Sequence, residues 1–479
     1  MWWLLLLIPA ALVVFLAVIF IRAALFRPRP EEKRTPTAVT LDEEKMTRDM
    51  QELVRCKTVS YREKGLEDEA EFDKFKQTLE ALYPAVHSTC EREFLGTRAI
   101  LYRWKGKSDK DVTVLMSHFD VVPVNEDQWE KPAFDGLIEN GELWGRGTLD
   151  TKVTLCSIME AAEQLIGEGF VPENDIYFAF GGDEEIAGEG APLIVEAFRQ
   201  RGIHPALVVD EGGAVVEGIF PGVTQPCALI GIGEKGMMDI KMTVRSKGGH
   251  ASSPPPHTPV GVLAKAVTKV ENNPFKGSLS KPAAEMFDTL GRHSTFLYRL
   301  IFANLWCFKP VLDSMCKKSG GELNALMRTT CAFTMMKGGK ASNVIPPEVS
   351  VYGNIRIMGG ETPETVLQYL NETIGDSDVK IEKVHGQNPS PYSPTEGAGW
   401  DKVTGAIRET WPDALVSPYL MIACSDSRHY AGLADNVYRF SAMALSKEER
   451  GFIHGNNERI KLDTLHTAAK FYLRLIKSC

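Results

Sequence analysis

The chain is long enough for two or three domains, because it has 479 residues, of which 44% are hydrophobic and 24% are charged. This balance is ordinary for a globular enzyme with a large core. The net charge of −9 argues against nucleic acid as a partner, since phosphate binding requires a clustered basic face. The nine cysteines are scattered without a CxxC pair, which indicates free thiols rather than a disulfide framework.

The N-terminal segment is predicted to be a single-pass membrane anchor. Residues 2–21 carry no charge, and about 20 apolar residues span a bilayer core of roughly 30 Å. A cleaved signal peptide is the alternative, but its apolar region would be shorter and a basic residue would precede it. Basic residues follow the span, which favours a cytoplasmic catalytic part; a lumenal, extracellular or secreted location stays open. These basic residues are Arg22, Arg27, Arg29, Lys33 and Arg34.

We assign residues 2–26 to this transmembrane anchor and the Pro-rich, charged residues 27–41 to a linker. Predicted helices and strands then alternate through residues 42–233, the first part of a catalytic domain. Strands are predicted at 99–104, 111–116, 175–180 and 206–210, and helices at 69–82, 152–166 and 192–202. Such alternation predicts an α/β fold with a mostly parallel sheet covered by helices.

Residues 234–388 change character and follow the order β-α-β-β-α-β, which is typical of a ferredoxin-like α+β unit. We predict that this smaller lid or dimerisation domain interrupts the catalytic domain, which resumes over residues 389–479. An insertion at 275–324 is interpreted as a helical hairpin packed on its own domain, since exposed apolar patches are rare. The alternative is an apolar lip for an apolar substrate or for the membrane.

Residues that can bind metals follow the predicted strands of the catalytic domain. His118 follows one strand, Glu184 and Glu185 follow the next, and Asp210 closes a third. In open α/β sheets, sites form at the carboxyl ends of the strands. Each residue alone has a structural explanation, such as a helix-start glutamate that complements the helix dipole.

The same set is harder to explain without a cation. Asp120 lies beside His118, Asp150 lies in the glycine-rich loop GRGTLDTK, and His454 lies in GFIHGNN. Packing this many carboxylates into one crevice is costly unless positive charge lies among them. Two zinc ions would supply that charge, and His, Asp and Glu are suitable zinc ligands.

Eight motifs in a fixed order resemble the di-zinc aminoacylase and carboxypeptidase family, and the similarity covers residues 42–479. Within that family the chain is most similar to carboxypeptidase S and the N-fatty-acyl-amino-acid hydrolases. The resemblance implies a zinc-dependent hydrolase that cleaves the amide bond of N-acyl amino acids or short peptides with a free C-terminal carboxylate. The motifs are SHFDVVPV, GRGTLDTK, GGDEE, VVDEGG, SKGGHASSPP, ASNVIPPEVSVYGNIR, SDSRHY and IHGNNE.

The resemblance also implies a ligand set for two zinc ions, with Co²⁺ as another metal that such a site accepts. One metal would take His118, Asp150 and Asp210, and the other would take the bridging Asp150 with Glu185 and His454. The choice between Asp210 and the adjacent Glu211 rests on the resemblance alone. The peptide bond from Asp150 to Thr151 is expected to be cis.

Catalytic roles follow from the same resemblance. Asp120 would orient His118 through its far ring nitrogen, and Glu184 would be the general base. His250, from the small domain, would act in the active site of the other subunit of a homodimer. A monomer whose insertion covers the pairing surface is the alternative.

The resemblance further implies a site for the substrate. Asn343 and Arg356 would bind its carboxylate, and Ser425 and Arg428 would line its pocket. An aminopeptidase with the same metal chemistry would need an acidic group for a free amine, where this sequence offers Arg356. A catalytically dead membrane receptor or scaffold would have lost ligands or the base, and here every position is filled.

Overall fold

The computed structural model of the chain describes residues 2–30, 36–63 and 65–479, and for residues 2–6 it describes the helical backbone alone. The first helix, α1 (Trp2–Leu25), contains a segment, Leu7–Leu25, with a mean hydropathy of 2.6 and only 11% of its residues buried. By length and composition this helix is a candidate for a membrane span or a signal sequence. Residues 31–35 of the predicted linker lie outside the described residues.

Helices and strands alternate after the linker, as predicted. Asp42 caps the first of these helices by accepting a hydrogen bond from the Lys45 backbone N–H. The elements are α2 (Glu43–Val54), α3 (Glu69–Leu82), α4 (Pro84–Thr89), β1 (Glu91–Leu95), β2 (Ala99–Trp104), β3 (Ser108–His118), β4 (Leu137–Glu139), β5 (Glu142–Trp144), α5 (Lys152–Gly167), β6 (Asn174–Gly181), α6 (Gly190–Arg201), β7 (Leu207–Val216) and β8 (Cys227–Glu234).

The next region contains its own four-stranded sheet. Its elements are β9 (Gly236–Arg245), β10 (Gly249–His250), α7 (Pro259–Asn272), α8 (Lys281–His293), α9 (Phe296–Phe302), α10 (Leu305–Ser319), α11 (Gly321–Met327), β11 (Thr330–Lys337), β12 (Val344–Ile345), β13 (Glu348–Ile357), α12 (Pro363–Ile374) and β14 (Val379–Gln387). The antiparallel order β11-β13-β9-β14 is the order of a split β-α-β unit. The insertion at 275–324 differs from the prediction, because it contains helices α8, α9 and α10 and the start of α11 rather than one hairpin. Its apolar side chains, such as Phe287, pack against Val216 and Leu415 of the large sheet rather than on the smaller sheet.

The last part of the chain returns to the large sheet. Its elements are α13 (Ala398–Thr410), β15 (Leu415–Met421), β16 (Val437–Leu445), α14 (Lys447–Arg450), β17 (Arg459–Lys461) and α15 (Leu462–Lys477). The eight-stranded sheet has the order β1-β2-β6-β3-β7-β16-β8-β15. Four central strands, β6, β3, β7 and β16, are parallel, whereas β1 to β2, β2 to β6 and β16 to β8 are antiparallel. The sheet is therefore mixed but mostly parallel, as predicted, because the edge pair of β8 and β15 is parallel as well.

Apolar side chains cover both faces of this sheet. Along β3, Leu115 belongs to the cluster that includes α5 and α15, and its neighbour Val114 belongs to the cluster that includes Phe198 of α6. Successive strand residues point to opposite faces, so helices on both sides bury both sets. All nine cysteines are free thiols, as predicted. Because both faces are covered, polar side chains of the large sheet gather at the ends of its strands.

Candidate metal centre

The cluster of metal-binding side chains lies where the central parallel strands end. Strand β3 ends at His118, β6 ends three residues before Glu184, and β7 contains Asp210 and Glu211. These strands are neighbours in the order β6-β3-β7. The carboxyl ends of parallel strands meet at one edge, so these residues come together although they are far apart in sequence.

Asp150 lies between two histidines, and each of its carboxylate oxygens contacts a different one. Oδ1 lies 3.1 Å from Nε2 of His118, and Oδ2 lies 2.9 Å from Nε2 of His454. Nε2 of His454 is also 3.1 Å from Oε1 of Glu185. His118 is buried, whereas the His454 side chain is 52% exposed, so the cluster opens toward solvent on the His454 side. The Asp150–Thr151 peptide bond is cis, as expected.

Glu211, rather than Asp210, points toward His118. Oε1 of Glu211 lies 3.4 Å from Nε2 of His118, and its ligand atoms group with those of His118 and Glu184. Asp210 turns the other way, where its Oδ2 accepts a hydrogen bond of 2.8 Å from the Ser427 backbone N–H. Adjacent residues of a strand point to opposite faces, so the two carboxylates diverge. The carboxylate beside His118 is therefore that of Glu211, where Asp210 was expected.

Asp120 connects His118 to the loop with the two glutamates. Nδ1 of His118 lies 3.0 Å from the Asp120 carbonyl oxygen and 3.4 Å from its carboxylate. The same carboxylate accepts the backbone N–H groups of Glu184 and Glu185, both at 3.1 Å, and the Ser60 hydroxyl at 2.7 Å. Such support orients a metal-binding histidine through its far nitrogen. Ser60 was not predicted, since nothing in its sequence context marks it.

The charges of the cluster favour added positive charge. Burial lowers the pKa of His118, but its acidic neighbours Glu211, Asp120 and Asp150 raise that pKa by more. The pKa of His118 therefore lies well above its ordinary value. Contacts with Asp150 and Glu185 raise the pKa of His454 to about 10. Burial raises the pKa of Glu211 to about 8. Closely packed carboxylates are stabilised by cations, and an all-N/O donor set of imidazoles and carboxylates fits two divalent metals.

Glu184 is half-buried beside this cluster and does not contact Asp150 in the way that His118 and His454 do. Burial raises its pKa well above the ordinary value, and Asp426 and Glu211 add to that rise although His118 opposes it. The guanidinium of Arg428 lies 4.0 Å from its Oε1. A carboxyl group with a raised pKa near a metal cluster has the properties of a proton acceptor that can later donate.

Glu458 holds the backbone of the loop that contains Asp150, a role that the sequence analysis did not predict. It is fully buried, and its carboxylate accepts the backbone N–H groups of Gly147, Leu149 and Asp150 and the guanidinium of Arg146. Gly147 has a φ of +86°, which explains a glycine at that turn. Glu458 follows His454 by four residues in IHGNNE, and that proximity was the available signal.

Two arginines lie at the loop that contains Ser425. Arg356, from β13, donates from Nη1 to the Cys424 sulfur at 3.4 Å, and Arg428 donates to the Ser425 carbonyl at 2.7 Å. Ser425 itself is fully buried, with its hydroxyl 2.7 Å from that of Ser427. The Ser425 hydroxyl is therefore shielded, whereas Arg356 and Arg428 are half-buried.

His250 and Asn343 lie together on a separate two-stranded ribbon. Strand β10 ends at His250 and pairs with β12, and the Asn343 carbonyl accepts the Ala251 backbone N–H at 3.0 Å. Both residues are exposed, and Nδ1 of His250 contacts the Ser252 hydroxyl at 2.8 Å. Within residues 36–63 and 65–479, no described hydrogen bond or ion pair joins either residue to the metal cluster.

The fold and the cluster together define a metal-dependent hydrolase. The chain belongs to the peptidase family M20/M25/M40, whose model matches residues 114–478. It is 37% identical over 447 residues to "Probable carboxypeptidase S-like 2" of Dictyostelium discoideum, which covers 92% of this chain and 86% of that protein. It is 35% identical over 480 residues to "N-fatty-acyl-amino acid synthase/hydrolase PM20D1" of Xenopus tropicalis, with 98% and 93% covered.

A solved structure shares the fold at low sequence identity. The M20 family metallo-carboxypeptidase Sso-CP2 from Sulfolobus solfataricus aligns with a TM-score of 0.65 and 15% identity, over 91% of this chain and 99% of that one. The chain therefore shares its fold with this structure.

Proposed function

We propose that this enzyme is a two-zinc amidohydrolase that cleaves N-acyl amino acids or short peptides with a free C-terminal carboxylate. The observation that carries the proposal is the position of Asp150, whose two oxygens contact two different histidines. A carboxylate in that position would hold two cations, together with the two histidines.

The proposed ligands divide into two sets that share Asp150. One metal would bind His118, Asp150 and Glu211, and the other would bind Asp150, Glu185 and His454. Glu211 replaces Asp210 in this assignment because the Asp210 carboxylate is engaged by the Ser427 N–H. Imidazole and carboxylate ligands are suitable for zinc, and the same donors accept Co²⁺.

The proposed reaction uses Glu184 as the proton carrier. When bound, the two cations would supply an acidic water and positive charge for the developing oxyanion. Glu184 accepts the proton from the attacking water and donates it to the leaving nitrogen, so that one carboxyl group serves both steps. Asp120 is a positioning residue, because it holds His118 and the backbone of Glu184 and Glu185 in place.

Recognition of a carboxylate is proposed for Arg356, with Arg428 at the same loop. A guanidinium binds a carboxylate through two parallel hydrogen bonds. Among the described residues, the Arg356 guanidinium donates only two hydrogen bonds, to Asn354 and Cys424. An aminopeptidase would instead present an acidic group to a free amine. The relatives named as carboxypeptidase-like and as N-fatty-acyl-amino acid hydrolases agree with a substrate that ends in a carboxylate.

A substrate panel tests this function. Purified full-length enzyme is assayed against dipeptides and N-acyl amino acids, each with a free and an amidated C-terminus. We expect hydrolysis of the free acids and at least tenfold lower kcat/KM for the amides, since one charge-assisted hydrogen bond is worth about 1.5–3 kcal/mol. Equal rates for acid and amide would contradict recognition by Arg356, and preference for a free N-terminal amine would favour the aminopeptidase.

We also propose a homodimer in which the smaller region, residues 234–388, acts as a lid and lends His250 to the partner's active site. His250 is exposed, and its hydrogen bond goes to Ser252 rather than to the metal-binding residues; both observations support this role. A donor near the scissile carbonyl would stabilise the oxyanion by about 2.7–4 kcal/mol.

Subunit complementation tests the dimer. Glu184→Gln and His250→Ala, each inactive, are mixed under conditions of subunit exchange, and activity should partly return because one composite site is intact. The matched control mixes Glu184→Gln with Glu211→Gln; both lesions lie in the same half of the site, so the mixture stays inactive. If the first mixture also stays inactive although heterodimers form, His250 does not act across the interface.

Helix α1 is proposed to remain as an uncleaved membrane anchor with the catalytic part in the cytoplasm. Support comes from its hydropathy and from the basic residues that follow it. The mass of the mature protein and protease protection of sealed membrane vesicles test both points. Loss of the first residues from the mature chain would instead indicate a signal peptide and a secreted enzyme.

A further inference from the structure

The insertion packs directly against α1. The guanidinium of Arg22 donates two hydrogen bonds, of 3.2 and 3.0 Å, to the carbonyl oxygen of Ala303. The buried Asn304 side chain donates to the Ile19 carbonyl at 3.0 Å. These contacts connect the end of α1 to the turn between α9 and α10.

Aromatic contacts extend this interface along α1. The ring of Phe20 stacks on Phe296 at 6.3 Å, and Phe15 meets Trp306 edge-on at 5.8 Å. Further along, the guanidinium of Arg292 lies 4.4 Å from the ring of Phe26. From Phe26 to Phe15 is a length of about 16 Å of helix, at 1.5 Å per residue, which is roughly half of a 30 Å bilayer core.

The outer surface of α9 and α10 is apolar over the same stretch. The side chains of Phe296, Leu297, Trp306 and Val311 are 45%, 70%, 60% and 53% exposed. The Trp306 N–H beneath this surface is paired, since it donates to the Asn304 side chain at 3.3 Å, whereas Lys309, between Trp306 and Val311, is exposed. Paired polar groups beneath an apolar surface are what a lipid environment requires.

We propose that α9 and α10 enter the leaflet on the catalytic side of the bilayer that α1 spans, so that the lipid acyl chains cover their exposed apolar surface. The inference rests on the proposed anchor. If α1 crosses the membrane, its contacts with Trp306 and Phe296 bring those residues below the lipid headgroups.

Photocrosslinking in membranes tests the inference. The full-length protein is reconstituted into phosphatidylcholine vesicles that contain a trace of radiolabelled phosphatidylcholine. Three variants each carry one photoreactive residue: Leu297→p-benzoylphenylalanine, Val14→p-benzoylphenylalanine on α1, and Val384→p-benzoylphenylalanine as the control. Leu297, Val14 and Val384 are 70%, 62% and 60% exposed, so they match in exposure, and none belongs to the proposed active site.

We expect lipid label on the Leu297 and Val14 variants and at least tenfold less on the Val384 variant, with each variant retaining hydrolase activity as evidence of folding. Label on the Val14 variant without label on the Leu297 variant would overturn the inference and leave the anchor standing. No label on either would remove the anchor together with the inference. Crosslinking of the Leu297 variant to a second chain instead of lipid would also overturn it, and the Val311→p-benzoylphenylalanine variant repeats the test if the Leu297 variant does not fold.

Discussion

Replacing Glu458 by Gln tests whether the Asp150 loop is held by a buried carboxylate. Glu458 accepts four hydrogen bonds, three from backbone N–H groups and one from Arg146. Each carboxylate oxygen of Glu458 accepts two of these hydrogen bonds. Gln has only one acceptor oxygen, so its NH2 group would face two donors with which it cannot form hydrogen bonds. Hydrogen bonds to a charged group are worth about 1.5–3 kcal/mol each, and losing two predicts a fall of about 3–6 kcal/mol in the free energy of unfolding.

The same substitution should weaken metal binding, because Asp150 shares the loop that Glu458 holds. Loss of such outer support costs roughly 10–100-fold in metal affinity. Urea unfolding and zinc competition with a chelator measure the two effects. The control is Glu142→Gln, which removes the partly exposed Arg459–Glu142 ion pair of 3.0 Å and should cost no more than about 1 kcal/mol. Equal stability and zinc affinity in Glu458→Gln and wild type would refute the reasoning.

Three further predictions concern the metals and the substrate. Glu211→Gln should lose at least one metal per chain, whereas Asp210→Asn, which keeps an acceptor for the Ser427 N–H, should retain both; elemental analysis of the two variants decides the ligand, and the opposite result would restore Asp210. Arg356→Lys should raise KM about tenfold with little change in kcat, because Lys cannot form the bidentate contact; an equal effect on an amidated substrate would contradict that role. Removing the metals with a chelator should lower the melting temperature, because a ligand present at a thousand times its Kd stabilises the folded state by about 4 kcal/mol. Calorimetry with and without added zinc measures this change. An unchanged melting temperature would show that metal binding does not stabilise the fold.

The residues that follow strands could be predicted from sequence, and those that depend on local strand geometry could not. His118, Glu184 and Glu185 follow central strands, so the alternation of elements was enough to bring them to one edge. The choice between Asp210 and Glu211 was different. The pairing of β16 with β7 shifts register after Asp210, and such a bulge re-aims side chains in a way that apolar patterning does not reveal.

The mixed character of the large sheet has a similar origin. Strands β7 and β8 are joined by ten residues without a helix and pair antiparallel at Val216 and Cys227. A parallel return would have needed a longer crossover, usually with a helix, so the short connection carried a signal that the general alternation concealed. Contacts such as Asn304 to Ile19 join residues 285 positions apart, and no local pattern predicts them.

The most direct test of the two-metal mechanism is a paired measurement of metal content and turnover in Glu184→Gln. Glu184 lies beside the cluster but outside the Asp150 bridge, so the variant should bind two zinc ions per chain as wild type does. Turnover of a dipeptide or N-acyl amino acid with a free carboxylate should fall by at least 10²–10⁴-fold, the usual contribution of general acid–base catalysis. Two bound zinc ions with undiminished turnover would contradict the mechanism.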